Sequence, residues 1–131
     1  MSTARSILAD LIAFDTVSHR SNLSLIDYIG DHLRRHGVDY HLVRDAREPK
    51  ASLHCRIGPP VDGGLILSGH TDVVPVEGQP WTSDPFRLTE RDGRLYGRGS
   101  CDMKGFLACC LAQLSRMVAA DLRRPIYLTF P

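Results

Sequence analysis

The sequence predicts an α/β fold in which a layered, mixed β-sheet is flanked by helices. Segments in which apolar residues recur every three or four positions alternate along the chain with short apolar segments typical of strands. This alternation indicates a sheet with helices packed on it. The 131 residues suit one domain, and the sequence contains no internal repeat, linker or low-complexity segment.

Two helices are predicted before Gly37. The first, over residues 3–15, has an apolar stripe made of Ile7, Leu8, Leu11 and Ile12. Either Ser21 or Asn22 can cap the second, whose inner face carries Ile26, Ile29 and Leu33. Basic residues fill the last turn of this second helix, and Gly37 follows as a natural stop.

Three strands are predicted next. "VDYHLV" (38–43) and "SLHCRI" (52–57) alternate between apolar and polar residues, which is typical of strands with one buried side. "GLILS" (64–68) is a continuous apolar run, and this predicts a strand that is covered on both faces.

A loop, a hairpin, a long helix and a last strand complete the predicted elements. Residues 71–85 are rich in Pro, Gly and Asp, and "FRLTERDGRLYGRG" predicts a hairpin about Asp92-Gly93. The strongest helix is predicted over 103–119, with an inner side made of Met103, Phe106, Leu107, Cys110, Leu111, Leu114 and Met117. "PIYLTF" begins a last strand, and the sequence stops at Pro131 with one side of the sheet lacking its expected cover. We therefore expect the chain to be a piece of something larger.

Composition excludes several classes of function. A net charge of +1 gives no electrostatic reason to expect nucleic acid or an anionic membrane as a partner. The longest apolar run, "FLACCLA", is far shorter than the roughly 20 residues of a membrane span. The N-terminus does not resemble a signal peptide, and the four cysteines lack the spacing of a disulfide framework. We expect reduced thiols in a cytosolic protein.

The first candidate functional residues follow the apolar run in "GLILSGHTDVVP". In open α/β sheets ligands bind beyond the carboxyl ends of the strands, which is where His70 lies. Residues two apart in an extended segment project to the same side, so Asp72 can face the same cavity. Its carboxylate can fix the imidazole tautomer that leaves the other ring nitrogen free for a metal, or orient a nucleophile beside that metal.

The second candidate lies in "LYGRGSCDMKG". The glycines allow a tight turn, and Asp102 then falls at the start of the long helix, where the helix dipole favours an anion. Its two oxygens can bind two cations, so His70 and Asp102 predict the beginning of a two-metal site suited by ligand type to Zn²⁺.

Simpler interpretations exist for each residue alone. A lone histidine at a strand end is more often a hydrogen-bonded structural residue, and a lone aspartate before a helix is usually a cap. The conjunction of "HTD" with the Gly-rich turn and Asp102 favours the metal site.

A thiol hydrolase is an alternative. Cys101 lies near a helix N-terminus, which can lower the pKa of its thiol, and His70 could act as its base. Inactivation by iodoacetamide but not by a chelator would favour this alternative. A phosphate-binding loop is excluded, because in "GRGSCDMKG" the lysine precedes the last glycine.

The segments "LSGHTDVVPVEGQPWTSDPF" and "DGRLYGRGSCDMKGF" resemble the co-catalytic zinc family of aminoacylases, carboxypeptidases and deacylases. The resemblance extends to "TVS", "SNLSLIDYI" and "KASLHCRIGP". It implies a zinc-exopeptidase-like fold with His70 as a ligand of one zinc ion. Asp102 would bridge both zinc ions and precede a cis peptide bond to Met103, and Asp72 would be the catalytic aspartate that tunes the metal site.

The resemblance also implies an activity. The local similarity favours a zinc-dependent amide hydrolase that removes the acetyl group from N-acetyl-L-ornithine in cytoplasmic arginine biosynthesis, with Co²⁺ as an alternative metal. The complete enzyme would be a homodimer. Succinyl-diaminopimelate, other acyl amino acids and dipeptides are alternative small-molecule substrates.

The chain departs from the family pattern at its end. The family places its general-base glutamate and an adjacent glutamate ligand directly after the strand that "PIYLTF" begins, whereas this sequence reads "FP" and stops. The remaining ligands and the dimerisation domain lie further downstream in the family. We expect residues 1–131 to be the N-terminal part of a metallohydrolase catalytic domain, inactive alone. The alternative is a non-enzymatic, inert fragment.

Other residues are assigned structural roles. Trp81, Pro85 and Phe86 are expected to pack their loop onto the sheet rather than to stack on a substrate. Lys104 is expected to be solvated rather than to touch a substrate carboxylate, and Cys109 and Cys110 to be small core residues. No role is assigned to the other histidines: His19, His32, His36, His41 and His54.

Overall fold

A computed structural model describes residues 3–131. The elements, in chain order, are α1 (Ala4–Ala13), α2 (Leu23–Arg35), β1 (Tyr40–Arg44), β2 (Ala51–Ile57), β3 (Leu65–Ser68), β4 (Thr89–Arg91), β5 (Arg94–Tyr96), α3 (Lys104–Ala112), α4 (Leu114–Ala119) and β6 (Ile126–Phe130).

The main sheet has four strands in the order β1-β2-β6-β3. β2 is antiparallel to both β1 and β6, whereas β3 is parallel to β6, so the sheet is mixed as predicted. β4 and β5 form the separate predicted hairpin. Its two turn residues have positive φ, 52° at Asp92 and 70° at Gly93, as a tight two-residue turn requires.

One hydrophobic core joins the helices to the sheet. Leu53 and Cys55 of β2 and Leu128 and Phe130 of β6 are buried, and they belong to the same cluster as the apolar stripes of α1, α2 and α3. The predicted stripe of α1 is buried in full. These contacts confirm the α/β fold with helices packed on the sheet.

The N-termini of α1 and α2 are capped by different hydrogen bonds. Thr3 caps α1, because its hydroxyl accepts the N–H of Ser6 and the Ser6 hydroxyl accepts the N–H of Thr3. At α2 the Ser21 hydroxyl accepts the N–H of Leu23, 3.2 Å away. Asn22 occupies the cap position, but its side chain makes no capping bond and is used elsewhere.

The expectation that "GLILS" is covered on both faces is wrong for the described chain. Leu65 and Ile66 of β3 are 55% and 66% exposed. β3 pairs only with β6 and lies at the edge of the sheet, and no element of residues 3–131 pairs with its other side. A continuous apolar run indicates that a strand is buried, but it does not specify which other element covers the strand.

The predicted helix over 103–119 is divided into α3 and α4 at Gln113. The N–H of Gln113 still bonds back to α3, and its carbonyl accepts the first bonds of α4 from Arg116 and Met117. Leu114, the first residue of α4, is fully buried. The prediction that Cys109 is a core residue is also wrong, since Cys110 is buried but Cys109 is exposed.

All four cysteines are free thiols, as expected. No helix within residues 3–131 is both long enough and apolar enough to cross a membrane.

Candidate metal centre

His70 lies just beyond the end of β3. The pairing of β3 with β6 continues past the strand, because the N–H of Gly69 bonds to Thr129 and the N–H of Thr71 bonds to Pro131. At Gly69 the chain crosses α3 so closely that a Cβ atom would lie 2.8 Å from the side chain of Leu107. This close crossing brings the end of β3 beside the start of α3.

The three predicted site residues form one cluster. His70 Nε2 lies 2.9 Å from Oδ1 of Asp102, 32 positions further along the chain. Its other nitrogen, Nδ1, lies 2.9 Å from the carbonyl oxygen of Asp72 and 3.1 Å from Oδ1 of the same residue. The imidazole is therefore held between the two carboxylates that the sequence singled out.

The electrostatics of the cluster favour charge on the ring. Burial lowers the pKa of His70, but the hydrogen bonds with Asp102 and with the Asp72 carbonyl, together with both negative charges, outweigh it and raise this pKa above 6.5. The Asp102 side chain is 85% exposed, and only its Oδ1 is hydrogen-bonded among residues 3–131. Its Oδ2 is thus accessible to a second ligand or ion.

The donor set fits two ligands of a zinc centre. The Asp72 carbonyl can only accept, so Nδ1 keeps its proton when the ring is neutral, and loss of the Nε2 proton would make the Nε2 lone pair available to a metal. Two ligands of one tetrahedral zinc ion lie about 3.3 Å apart, so the observed 2.9 Å needs to open by only a few tenths of an ångström. No group of three or more His, Cys, Asp or Glu suited to a metal occurs within the described residues 3–131. These residues could therefore hold only part of a zinc coordination sphere.

The Asp102–Met103 peptide bond is cis, as the resemblance implied. Asp102 itself lies just outside α3, because Met103 is the residue before the first helical position.

Ser18, in the "TVS" segment, also belongs to the cluster, although the sequence assigns it no role. Its hydroxyl donates to Oδ2 of Asp72 at 2.5 Å. The Asp72 carboxylate is thus held by Ser18 on one oxygen and lies beside His70 with the other. A serine in a loop five positions after the end of α1 carries no local signal that it contacts a residue 54 positions away.

Asn22 and Thr71 form a buried polar clasp behind the site. The Asn22 amide donates to the Ala51 carbonyl and to the Thr71 hydroxyl, both at 2.9 Å, and accepts the N–H of Ala51 at 3.0 Å. The Thr71 hydroxyl donates to the carbonyl of Pro131. Since Thr71 separates His70 from Asp72, this clasp fixes the backbone that carries both.

The expectation that Lys104 is solvated is wrong. Lys104 is 0% exposed, and its ammonium donates to the carbonyls of Leu11 at 2.9 Å and Phe14 at 2.6 Å. Burial lowers the pKa of Lys104 to about 8, and the nearby Asp15 opposes this shift. The lysine satisfies carbonyls at the C-terminal end of α1, which lie about 90 positions away along the chain.

The thiol alternative finds no support in the geometry. Cys101 is exposed, as a nucleophile must be, but both ring nitrogens of His70 face Asp72 and Asp102. Among the hydrogen bonds of residues 3–131, none joins Cys101 to His70.

An open cavity of about 460 Å³ lies beside the cluster. His70, Asp72 and Ser18 line it together with the basic residues Arg20 and Lys50. Trp81 does not line this cavity; the guanidinium of Arg98 lies 5.2 Å from its ring. Trp81 does not belong to the core cluster either, so its predicted packing on the sheet is not seen.

The fold is that of zinc exopeptidases. It superposes on human carnosine dipeptidase 1 with a TM-score of 0.82 and 26% identity, over 97% of this chain and 31% of that one. A family M20 metallo-carboxypeptidase from Sulfolobus solfataricus gives a TM-score of 0.84 at 21% identity, over 99% of this chain and 30% of that one.

Sequence comparison defines the family. Residues 66–131, just over half of the chain, match Peptidase family M20/M25/M40, and the chain belongs to this family. It is 42% identical to an acetylornithine deacetylase of Myxococcus xanthus over 127 residues, covering 93% of this chain and 32% of that protein. The corresponding enzyme of Shigella sonnei is 39% identical, with 95% of this chain and 33% of that protein covered. The chain thus spans about a third of the length of the curated relatives it matches.

Proposed function

We propose that residues 1–131 form the N-terminal part of the catalytic domain of a zinc-dependent amide hydrolase that removes the acetyl group from N-acetyl-L-ornithine. The observation that carries the proposal is the 2.9 Å approach of His70 Nε2 to Asp102 Oδ1 at the carboxyl end of a strand. The identity of 39–42% to acetylornithine deacetylases supports the substrate.

Each predicted site residue has a role in this proposal. His70, through Nε2, and Asp102, through its carboxylate, would hold the zinc centre. When bound, the metal would supply Lewis acidity towards the amide carbonyl. Asp72 keeps the proton on Nδ1 of His70 and tunes the site, and Ser18 orients the Asp72 carboxylate. Co²⁺ is an alternative metal.

The general base, the remaining ligands and the dimerisation domain are assigned to parts of the family fold outside residues 1–131. We therefore propose that this chain is inactive alone and that the complete enzyme is a cytoplasmic homodimer in arginine biosynthesis.

Dipeptide hydrolysis is a second candidate, favoured by the structural similarity to carnosine dipeptidase 1. Succinyl-diaminopimelate and other acyl amino acids are further candidate substrates, and an inert fragment is the non-enzymatic alternative. Carnosine dipeptidase 1 is 26% identical to this chain, whereas the two acetylornithine deacetylases are 39% and 42% identical, so N-acetyl-L-ornithine is the first candidate.

The experiment starts with the coding sequence beyond Pro131. If an in-frame continuation exists, its product should contain two zinc ions per chain and hydrolyse N-acetyl-L-ornithine, with activity lost to a chelator but not to iodoacetamide. Hydrolysis of a dipeptide or of succinyl-diaminopimelate without N-acetyl-L-ornithine would contradict the substrate. A stop codon directly after Pro131 would favour the inert fragment.

A further inference from the structure

The 14–18 segment, "FDTVS", lies between two loops that carry the site. One loop, residues 69–73, holds His70 and Asp72; the other, residues 97–103, holds Asp102. The two loops approach each other closely, because a Cβ atom at Gly99 would lie 2.7 Å from Val73. Their relative position decides whether the imidazole and the Asp102 carboxylate can meet.

The 14–18 segment is bonded to the first loop through its backbone as well as through the Thr16 and Ser18 hydroxyls. The Thr16 hydroxyl donates to the Thr71 carbonyl at 2.7 Å in a buried position. The N–H of Val73 donates to the Thr16 carbonyl, and the N–H of Ser18 donates to the Val73 carbonyl, both at 3.0 Å. A parallel bridge between Val17 and Val73 results. This segment and the first loop therefore form one hydrogen-bonded unit.

Lys104 bonds the same segment to the second loop. Its ammonium donates to the Phe14 carbonyl at the start of the segment and to the Leu11 carbonyl one turn earlier. Its own N–H donates to the carbonyl of Gly99 at 2.8 Å. Lys104 lies two positions after Asp102, so these bonds act on the backbone that carries the carboxylate.

The chemistry of Lys104 indicates a role beyond filling space. A methionine would fill similar volume without the cost of burying an ammonium group, which is high unless the charge is hydrogen-bonded. The ammonium is aimed at two backbone carbonyls rather than at a carboxylate. What the lysine adds over an apolar residue is a directional link between the two loops.

We infer that Lys104 is a positioning residue for the metal centre. Through the 14–18 segment it fixes the position of the Asp102 loop relative to the loop that carries His70 and Asp72. The inference rests on the proposed function for the metal, but the link between the loops exists without it.

The test compares Lys104→Met with Leu111→Val, a core substitution on the same helix that leaves the carbonyl bonds intact. The backbone amide signals of Thr71 and Val73 are measured by NMR in the metal-free chain, and Zn²⁺ binding is then titrated. We expect Lys104→Met to shift both amide signals and to weaken Zn²⁺ binding by about 10–100-fold, as loss of a supporting partner does. Leu111→Val should leave the two amide signals and the Zn²⁺ affinity unchanged.

Different results would contradict the positioning role of Lys104 and the metal centre. Unchanged Thr71 and Val73 signals in a folded Lys104→Met chain would overturn the positioning role. Shifted signals in a chain whose parent form binds no Zn²⁺ would support the positioning role and contradict the metal centre. If Lys104→Met does not fold, Thr16→Val breaks the other end of the link; it should shift the amide signal of Met103, and an unmoved Met103 signal would again overturn the inference.

Discussion

Thr71 links the buried polar clasp to the candidate metal centre. It is 1% exposed, stands between His70 and Asp72, and bonds through its hydroxyl with both Asn22 and Pro131. A buried polar group that loses its partner costs more than the bond itself contributes, because its hydration is not regained. The small hydroxyl of Thr71 therefore has a large effect on the backbone around it.

Thr71→Val should destabilise the fold by about 1–3 kcal/mol, because valine keeps the shape but removes the Thr71 acceptor of the buried Asn22 amide, which keeps only its bond to the Ala51 carbonyl. Urea unfolding measures this difference. Thr89→Val is the matched control, since the Thr89 hydroxyl makes only an exposed bond to the Arg87 carbonyl. Equal shifts of the unfolding midpoint in both variants would show that the clasp contributes nothing specific.

Single residues divide sharply into those that the sequence predicts and those that it does not. The convergence of His70, Asp72 and Asp102 could be predicted, because their spacing and their place after a strand or before a helix are local signals. Asn22 and Lys104 were given the roles their types usually have, a cap and a solvated charge. Both instead bond to backbone groups far along the chain, and no local pattern encodes such a partner.

The periodicity of the sequence predicted whether a segment is a helix, a strand or a turn better than it predicted what packs against that segment. The stripe of α1, the alternation of β2 and the Asp92-Gly93 turn each depend on neighbouring residues only, and each is present. The exposure of β3 and the break at Gln113 depend on what packs against the element. Those contacts are set by the tertiary fold, which explains why both predictions failed.

Helix α2 contains a buried titratable group whose charge opposes folding. His32 is 6% exposed and packs on Tyr28, with ring centroids 4.8 Å apart. Burial lowers its pKa below 6.5, and the positive charges of Arg35 and His36 lower it further. Asp10 on α1 and Asp31 on α2 oppose the shift without reversing it.

His32 should therefore make stability depend on pH in a defined direction. As pH falls through 6.5 the unfolded chain binds a proton that the folded chain resists, so the free energy of unfolding decreases until the folded-state pKa is passed. The urea midpoint of the parent should fall more steeply between about pH 7 and pH 5 than that of His32→Phe, which keeps an aromatic ring on Tyr28. His19→Phe, at an exposed loop position, is the control and should follow the parent. Parallel curves for parent and His32→Phe would contradict the argument.

At the scale of the whole molecule, a mixed sheet with helices packed on it positions two loops from distant parts of the sequence. His70 lies just after β3 and Asp102 lies in the turn before α3, and the close crossing at Gly69 brings the two residues together. The sequence predicted this convergence from motif and strand position. It did not predict the 14–18 segment that connects the loops, because those bonds are mostly to backbone groups and leave no signature in residue type.

The most direct test of the central claim is a Zn²⁺ titration in which the ring signals of all six histidines are followed by NMR. We predict that His70 responds first, and that Asp102→Asn weakens its response by roughly tenfold or more, equivalent to about 1.4 kcal/mol. Asp92→Asn, on the hairpin turn, should leave that response unchanged. The stacked pair His41 and His54 is the natural competitor on the sheet. Zn²⁺ that shifts this pair while His70 stays unmoved would contradict the claim that His70 and Asp102 bind a metal together.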